Sequence, residues 1–140
     1  MGTRSLTKVI ETYTDQKNKK HKNNLVCMYR QYDGYPSGHG KELSEFLEDM
    51  VIVNGIGLRD ERKLSNGMGC LSAQLISHFK TDVGNIYIQP SDSKRDWEDF
   101  EYIIEKDDKQ KLNVKVNNYN DKEIFNGDVD QFIDFCNNED

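Results

Sequence analysis

Apolar positions follow two rhythms along this chain, a period of two and a period near 3.6, and each predicts a different backbone. The clearest alternation sets Leu112, Val114 and Val116 against Asn113, Lys115 and Asn117, the pattern of a half-buried strand. Phe100 to Glu105 reads as its partner, and the short polar turn Lys106–Gln110 predicts an antiparallel hairpin between them. Residues 5–14, rich in β-branched and aromatic side chains, imply a first strand, although their alternation is imperfect. Leu25 to Tyr32 is apolar at nearly every position before Arg30, as expected of an interior strand covered on both faces. Asn85 to Gln89 predicts one more short strand, closed by Pro90.

The helical rhythm occurs three times. Leu43, Phe46, Leu47 and Met50 predict a helix over about residues 40–52, stopped by Asn54-Gly55. Leu71, Leu75 and Phe79, broadened by Cys70, Ala73 and Ile76, predict a second from about 68 to 80, central to the domain because its apolar arc is wide. Val129, Phe132, Ile133 and Cys136 predict a closing helix over 128–137, with Asp128 and Gln131 spaced as a capping box. Between these elements, residues 15–24 hold no apolar side chain and read as a mobile connection. Ile56, Gly57 and Leu58 cross the surface or begin a short strand, residues 59–63 are solvated, and 91–98 form a polar loop holding the single tryptophan. The sum is an α+β fold: a mainly antiparallel sheet of about five strands, covered on one face by about three helices, in a single domain over residues 1–140.

Composition narrows the function classes. A length of 140 residues suits one continuous core, and 35% apolar residues with seven Tyr and six Phe exclude an intrinsically disordered chain. The net charge of −6 is unevenly spread, with +5 over residues 1–41 and −11 over the remainder. An acidic chain of this kind makes nucleic acid a poor partner, and the lysine-rich run Lys17–Lys22 reads as a solvated turn. No run approaches the roughly 20 apolar residues of a membrane span, and no secretory leader opens the sequence, so a soluble, cytoplasmic protein is expected. Three widely spaced cysteines, Cys27, Cys70 and Cys136, read as buried free thiols in a reducing compartment. Exposed-looking tyrosines (Tyr13, Tyr87, Tyr102, Tyr119) suggest a homo-oligomer in which a second subunit covers them.

Candidate chemistry concentrates in Tyr29–Gly40, YRQYDGYPSGHG, set between a strand and a helix. Its glycines allow close backbone approach to a ligand, and the free N–H groups of the following helix, with Arg30 and His39, suit a phosphate or carboxylate. Tyr32 and Tyr35 offer stacking or hydroxyl contacts, and Ser37, Gly38 and Gly40 complete the loop. Gly67-Met68-Gly69 repeats the device before the second helix, so the two helix N-termini are expected to converge on one cleft. Neither sharp phosphate signature, GxxxxGK[ST] or GxGxxG, occurs, and the sequence names no metal ligand set and no cofactor.

Each residue also has a plainer role. Arg30 can pair with an acidic neighbour such as Glu101, Asp33 can serve a turn before Gly34, and Ser37 can cap the helix rather than act as nucleophile. His39, which its flanking glycines should leave accessible, is the least expected on structural grounds. Three readings follow. The first is a non-catalytic binding domain for a small anionic or nucleotide-like ligand, using Arg30, Tyr32, Tyr35, Ser37, Gly38, His39, Gly40, Gly67 and Gly69. The second is a small hydrolase of a phosphodiester or similar anionic substrate, with His39 as general acid or base oriented by Asp33. The third is a protein–protein interaction domain. Binding is preferred because a nucleophile and a matched second catalytic partner are missing.

Overall fold

In a computed structural model, which describes residues 2–55, 63–107 and 109–138, the chain forms an α+β fold in which a six-stranded mixed sheet packs against three helices. The strands are β1 (Ser5–Thr14), β2 (Lys20–Arg30), β5 (Ile86–Gln89), β6 (Phe100–Lys106), β7 (Leu112–Asn118) and β8 (Glu123–Asp128), in spatial order β5-β2-β1-β6-β7-β8. Within this sheet only the central β1–β6 pair is parallel. The helices are α1 (Lys41–Leu47), α2 (Gly67–Phe79) and α3 (Val129–Asn138). Two three-residue strands, β3 (Val51–Val53) and β4 (Leu64–Asn66), make a separate parallel pair that leads into α2.

Side-chain alternation decides which face each residue serves. Thr7 and Val9 of β1, Met28 and Arg30 of β2, and Tyr102 and Ile104 of β6 point toward the helices, where Leu43, Leu71, Leu75 and Phe132 complete one continuous core. The opposite face is polar over much of its area, with Lys8 and Glu101 paired at 2.6 Å. Residues 90–99 carry the chain from β5 back across β2 and β1 to the start of β6. Along this path Trp97 stacks against Tyr29 at 6.2 Å between ring centroids, and the Arg4 guanidinium lies 4.1 Å from the Trp97 ring.

Several expectations are corrected. Residues 20–24 are strand, not a mobile connection: Lys20–Asn24 pair with Thr14–Ile10, and a bulge beside Val9 accounts for the imperfect alternation there. Polar side chains suffice in that half of β2 because it is largely exposed, so backbone pairing rather than burial holds it. The first helix stops at Leu47, and Val51–Val53 becomes β3. The sheet gains β8, whose Glu123–Asp128 carries only two large apolar residues, Ile124 and Phe125. Tyr102 is wholly buried within the chain and donates to Gly34 O at 2.7 Å, so it needs no second subunit. The capping box does form: Gln131 N donates to Asp128 Oδ1 at 2.8 Å and Asp128 N to Gln131 Oε1 at 2.9 Å. The expectations for residues 56–62 lie outside the described residues.

Candidate functional site

The segment after β2 turns sharply at Asp33 (φ 61°), and Pro36–Gly40 then makes one wide helical turn that runs directly into α1. Its own backbone closes it. Gly38 N donates to Tyr35 O at 2.9 Å, and His39 N donates to Asp33 O at 2.7 Å. The turn is pressed onto the sheet rather than lifted from it. Gly34 N donates to Thr3 O at 2.9 Å, and a Cβ built on Gly34 would come within 2.8 Å of Ser5 Cβ. One built on Gly40 would meet Cys136 Sγ of α3 at 3.0 Å. These glycines let two layers of protein touch.

His39 lies at the bottom of this plug with 0% exposure, so the expected accessibility is not met. Arg30 Nη1 lies 3.1 Å from His39 Nδ1, and a guanidinium can only donate, so Nδ1 is the acceptor. The ring proton therefore sits on Nε2, which donates to Thr7 Oγ1 at 2.7 Å. The imidazole is neutral, with its pKa lowered to about 3, first by burial and then by the adjacent Arg30 charge. Phe79 and Tyr102 pack on the ring at 4.9 and 5.1 Å between centroids. The Asp33 carboxylate is elsewhere, accepting from the Tyr35 hydroxyl at 3.3 Å. Asp33 and His39 are thus not joined through their side chains.

Arg30 connects this interior to a cavity. It is 7% exposed, its Nε donates to Tyr32 O at 2.8 Å, and Nη1 also pairs with Glu42. Glu42, rather than Glu101, is its acidic partner. Among the described residues Nη2 engages no acceptor. The cavity, about 580 Å³, opens between α1, α2 and the paired ends of β2 and β5. Phe46, Met50, Phe79 and Ile86 give it apolar walls, while Glu42 and Glu45 stand opposite in sign to Arg30 and Lys63. His78 lies tilted beside Phe46 at 4.9 Å between centroids and forms part of the same wall.

Of the residues nominated from sequence, Arg30 lines this cavity; Tyr32, Tyr35, Ser37, Gly38, His39, Gly40, Gly67 and Gly69 do not. Tyr32 and Tyr35 are exposed on the outer side of the loop. Gly67 and Gly69 open α2 away from the cavity, so the two helix starts do not converge on it. Ser37 makes no side-chain cap. The lining residues missed from sequence carry a helical signal all the same. Glu42 of α1 stands one turn before Phe46 and Glu45 next to it, at the edge of the apolar stripe, and Gln74 and His78 fall on one stripe of α2 beside the apolar one. Among the described residues no helix is long and apolar enough to cross a membrane, and no group of His, Cys, Asp or Glu could hold a metal ion. No protein-family model, no curated protein and no solved structure matches the chain.

Proposed function

We propose that this chain is a non-catalytic binding domain for a small ligand that joins an anionic group to an apolar body. The observation supporting this reading is Arg30: a nine-tenths buried guanidinium that lines a cavity of about 580 Å³ with one terminal nitrogen uncommitted among the described residues. Keeping a guanidinium out of water is costly unless all its donors are answered, and a bidentate carboxylate or phosphate answers two at once. Glu42 holds the place meanwhile. Its side chain is 53% exposed, so it can yield Arg30 to an incoming anion and return to solvent at little cost. Phe46, Phe79 and Ile86 then receive the apolar body, and the volume falls within the usual range of small-molecule sites.

The hydrolase reading draws less support, because His39 is buried and neutral with both ring nitrogens engaged. A homo-oligomer is supported by the exposure of Tyr13, Tyr87 and Tyr119, and a cytoplasmic location by three cysteines that form no disulfide, two of them buried.

Calorimetric titration with aliphatic and aromatic carboxylates and with inorganic phosphate tests the proposal. An apolar carboxylate should bind, Thr81→Trp at the cavity mouth should abolish binding, and Glu42→Gln should tighten it about fivefold by removing the internal competitor. Absence of binding by every probe to both the parent and Glu42→Gln overturns it.

A further inference from the structure

Three buried side-chain polar atoms among the described residues lack a hydrogen-bond partner, and one of them, Asn85 Oδ1, belongs to a residue lining the cavity. Buried acceptors without donors are rare, since each costs the desolvation of the group. Asn85 and Arg30 both line the cavity, although the strand register sets Asn85 across from Gln31, one position on from the Arg30–Ile86 pair. Arg30 pairs with Ile86, and Gln31 N donates to Asn85 O at 2.8 Å. Asn85 takes a φ of 61°, a backbone state that asparagine tolerates better than most residues. A donor-only group and a residue with an orphaned acceptor therefore line the same partly apolar hollow.

The charges around the hollow point the same way. Arg30 and Lys63 are balanced by Glu42 and Glu45, so a purely anionic guest would leave the lining carboxylates facing a second negative charge. A guest carrying both signs would not. Building on the binding role argued above, we propose that the cavity takes an α-amino acid with an apolar side chain. Its carboxylate sits on the Arg30 guanidinium, and its ammonium donates to Asn85 Oδ1 in the field of Glu42 and Glu45. The side chain lies against Phe46, Phe79 and Ile86. The two polar ends of such a molecule are separated by one carbon, so a single guest within the cavity is offered both lining residues.

Titration with L-phenylalanine, 3-phenylpropionate and phenethylamine separates this inference from the reading beneath it. The expected result is that L-phenylalanine binds at least about tenfold more tightly than 3-phenylpropionate, and that phenethylamine, lacking the carboxylate, binds far more weakly than either. Asn85→Gly removes the acceptor while accepting the positive φ, and should lower L-phenylalanine to the level of 3-phenylpropionate without changing the latter. Asn85→Asp, which keeps an acceptor, should preserve the preference. Equal affinity for L-phenylalanine and 3-phenylpropionate overturns the amino-acid inference and leaves a carboxylate-binding domain. If neither carboxylate binds, the amino-acid inference falls, and the binding role falls with it when the remaining carboxylates and phosphate also fail against both the parent and Glu42→Gln.

Discussion

Two glycine-bearing turns lead into helices of this protein, and they look alike in sequence but answer to different forces. In the first, a methyl on Gly34 would collide with β1, and one on Gly40 would press tightly on Cys136 of α3. In the second, Gly67 and Gly69 have open space around the position of an added Cβ, and only Gly67 has a positive φ, 81°. One turn uses glycine for contact, the other for a backbone angle or for no structural reason visible in its surroundings. Glycine near a helix start is therefore a poor marker of a ligand site until its surroundings are known.

The largest expected effect comes from the centre of the packed turn. His39→Ala would leave the buried Arg30 without its inner partner and open a void against Phe79 and Tyr102, and should cost about 3–5 kcal/mol in urea unfolding. His39→Gln can accept from Arg30 and donate to Thr7 at once, and should recover part of that loss. If both variants unfold at the parent midpoint, the plug is not structural. Gly34→Ala is next. Its Cβ would fall 2.8 Å from Ser5 Cβ and 2.9 Å from the Arg4 carbonyl carbon, where backbone must move, so about 2–3 kcal/mol is expected.

The neutral state of His39 adds a pH dependence that the open turn lacks. Its folded pKa of about 3 lies below the ordinary histidine value of 6.5, so the unfolded chain binds the proton more readily. Stability from this source is complete above about pH 6.5, declines as pH falls, and is exhausted once pH passes below about 3. Between pH 6.5 and 5 the loss should approach about 2 kcal/mol, at about 1.4 kcal/mol per pH unit. This window lies above the pKa range of most carboxylates, so unfolding of the parent and of His39→Gln at pH 7, 6 and 5 isolates the imidazole. Parallel curves for the two proteins would remove His39 as the cause.

Much of the fold was legible because its signals are local. α2 and α3 show their apolar stripes, the β6–β7 hairpin shows its alternation, and Asp128 with Gln131 announces the start of α3. What escaped depends on distance along the chain. Thr7 reaches His39 across 32 positions, and Tyr102 reaches Gly34 across 68. No rhythm within the Tyr29–Gly40 segment reveals that β1 and β6 supply its floor. The strand half Lys20–Asn24 hid for the converse reason: it pairs through its backbone and shows almost no apolar side chain. The cavity was half legible, since Arg30 stood out, whereas Asn85 carried no signal except its place at the start of the expected strand Asn85 to Gln89.

The smallest effect separates the two glycines of the open turn from each other. Gly67 opens α2 at a positive φ, so alanine there should cost about 1 kcal/mol through backbone strain although no atom obstructs its methyl. Gly69 lies inside α2 without a positive φ and with no heavy atom within 4 Å of the added carbon. Alanine there restricts the unfolded chain and favours the helix, and should raise stability by about 0.5–1 kcal/mol. The sign is the informative part. A gain at Gly69 beside a loss at Gly34 would show that these turns share a composition without sharing a cause. A loss at Gly69 would mean that its bare backbone faces a contact absent from the isolated chain.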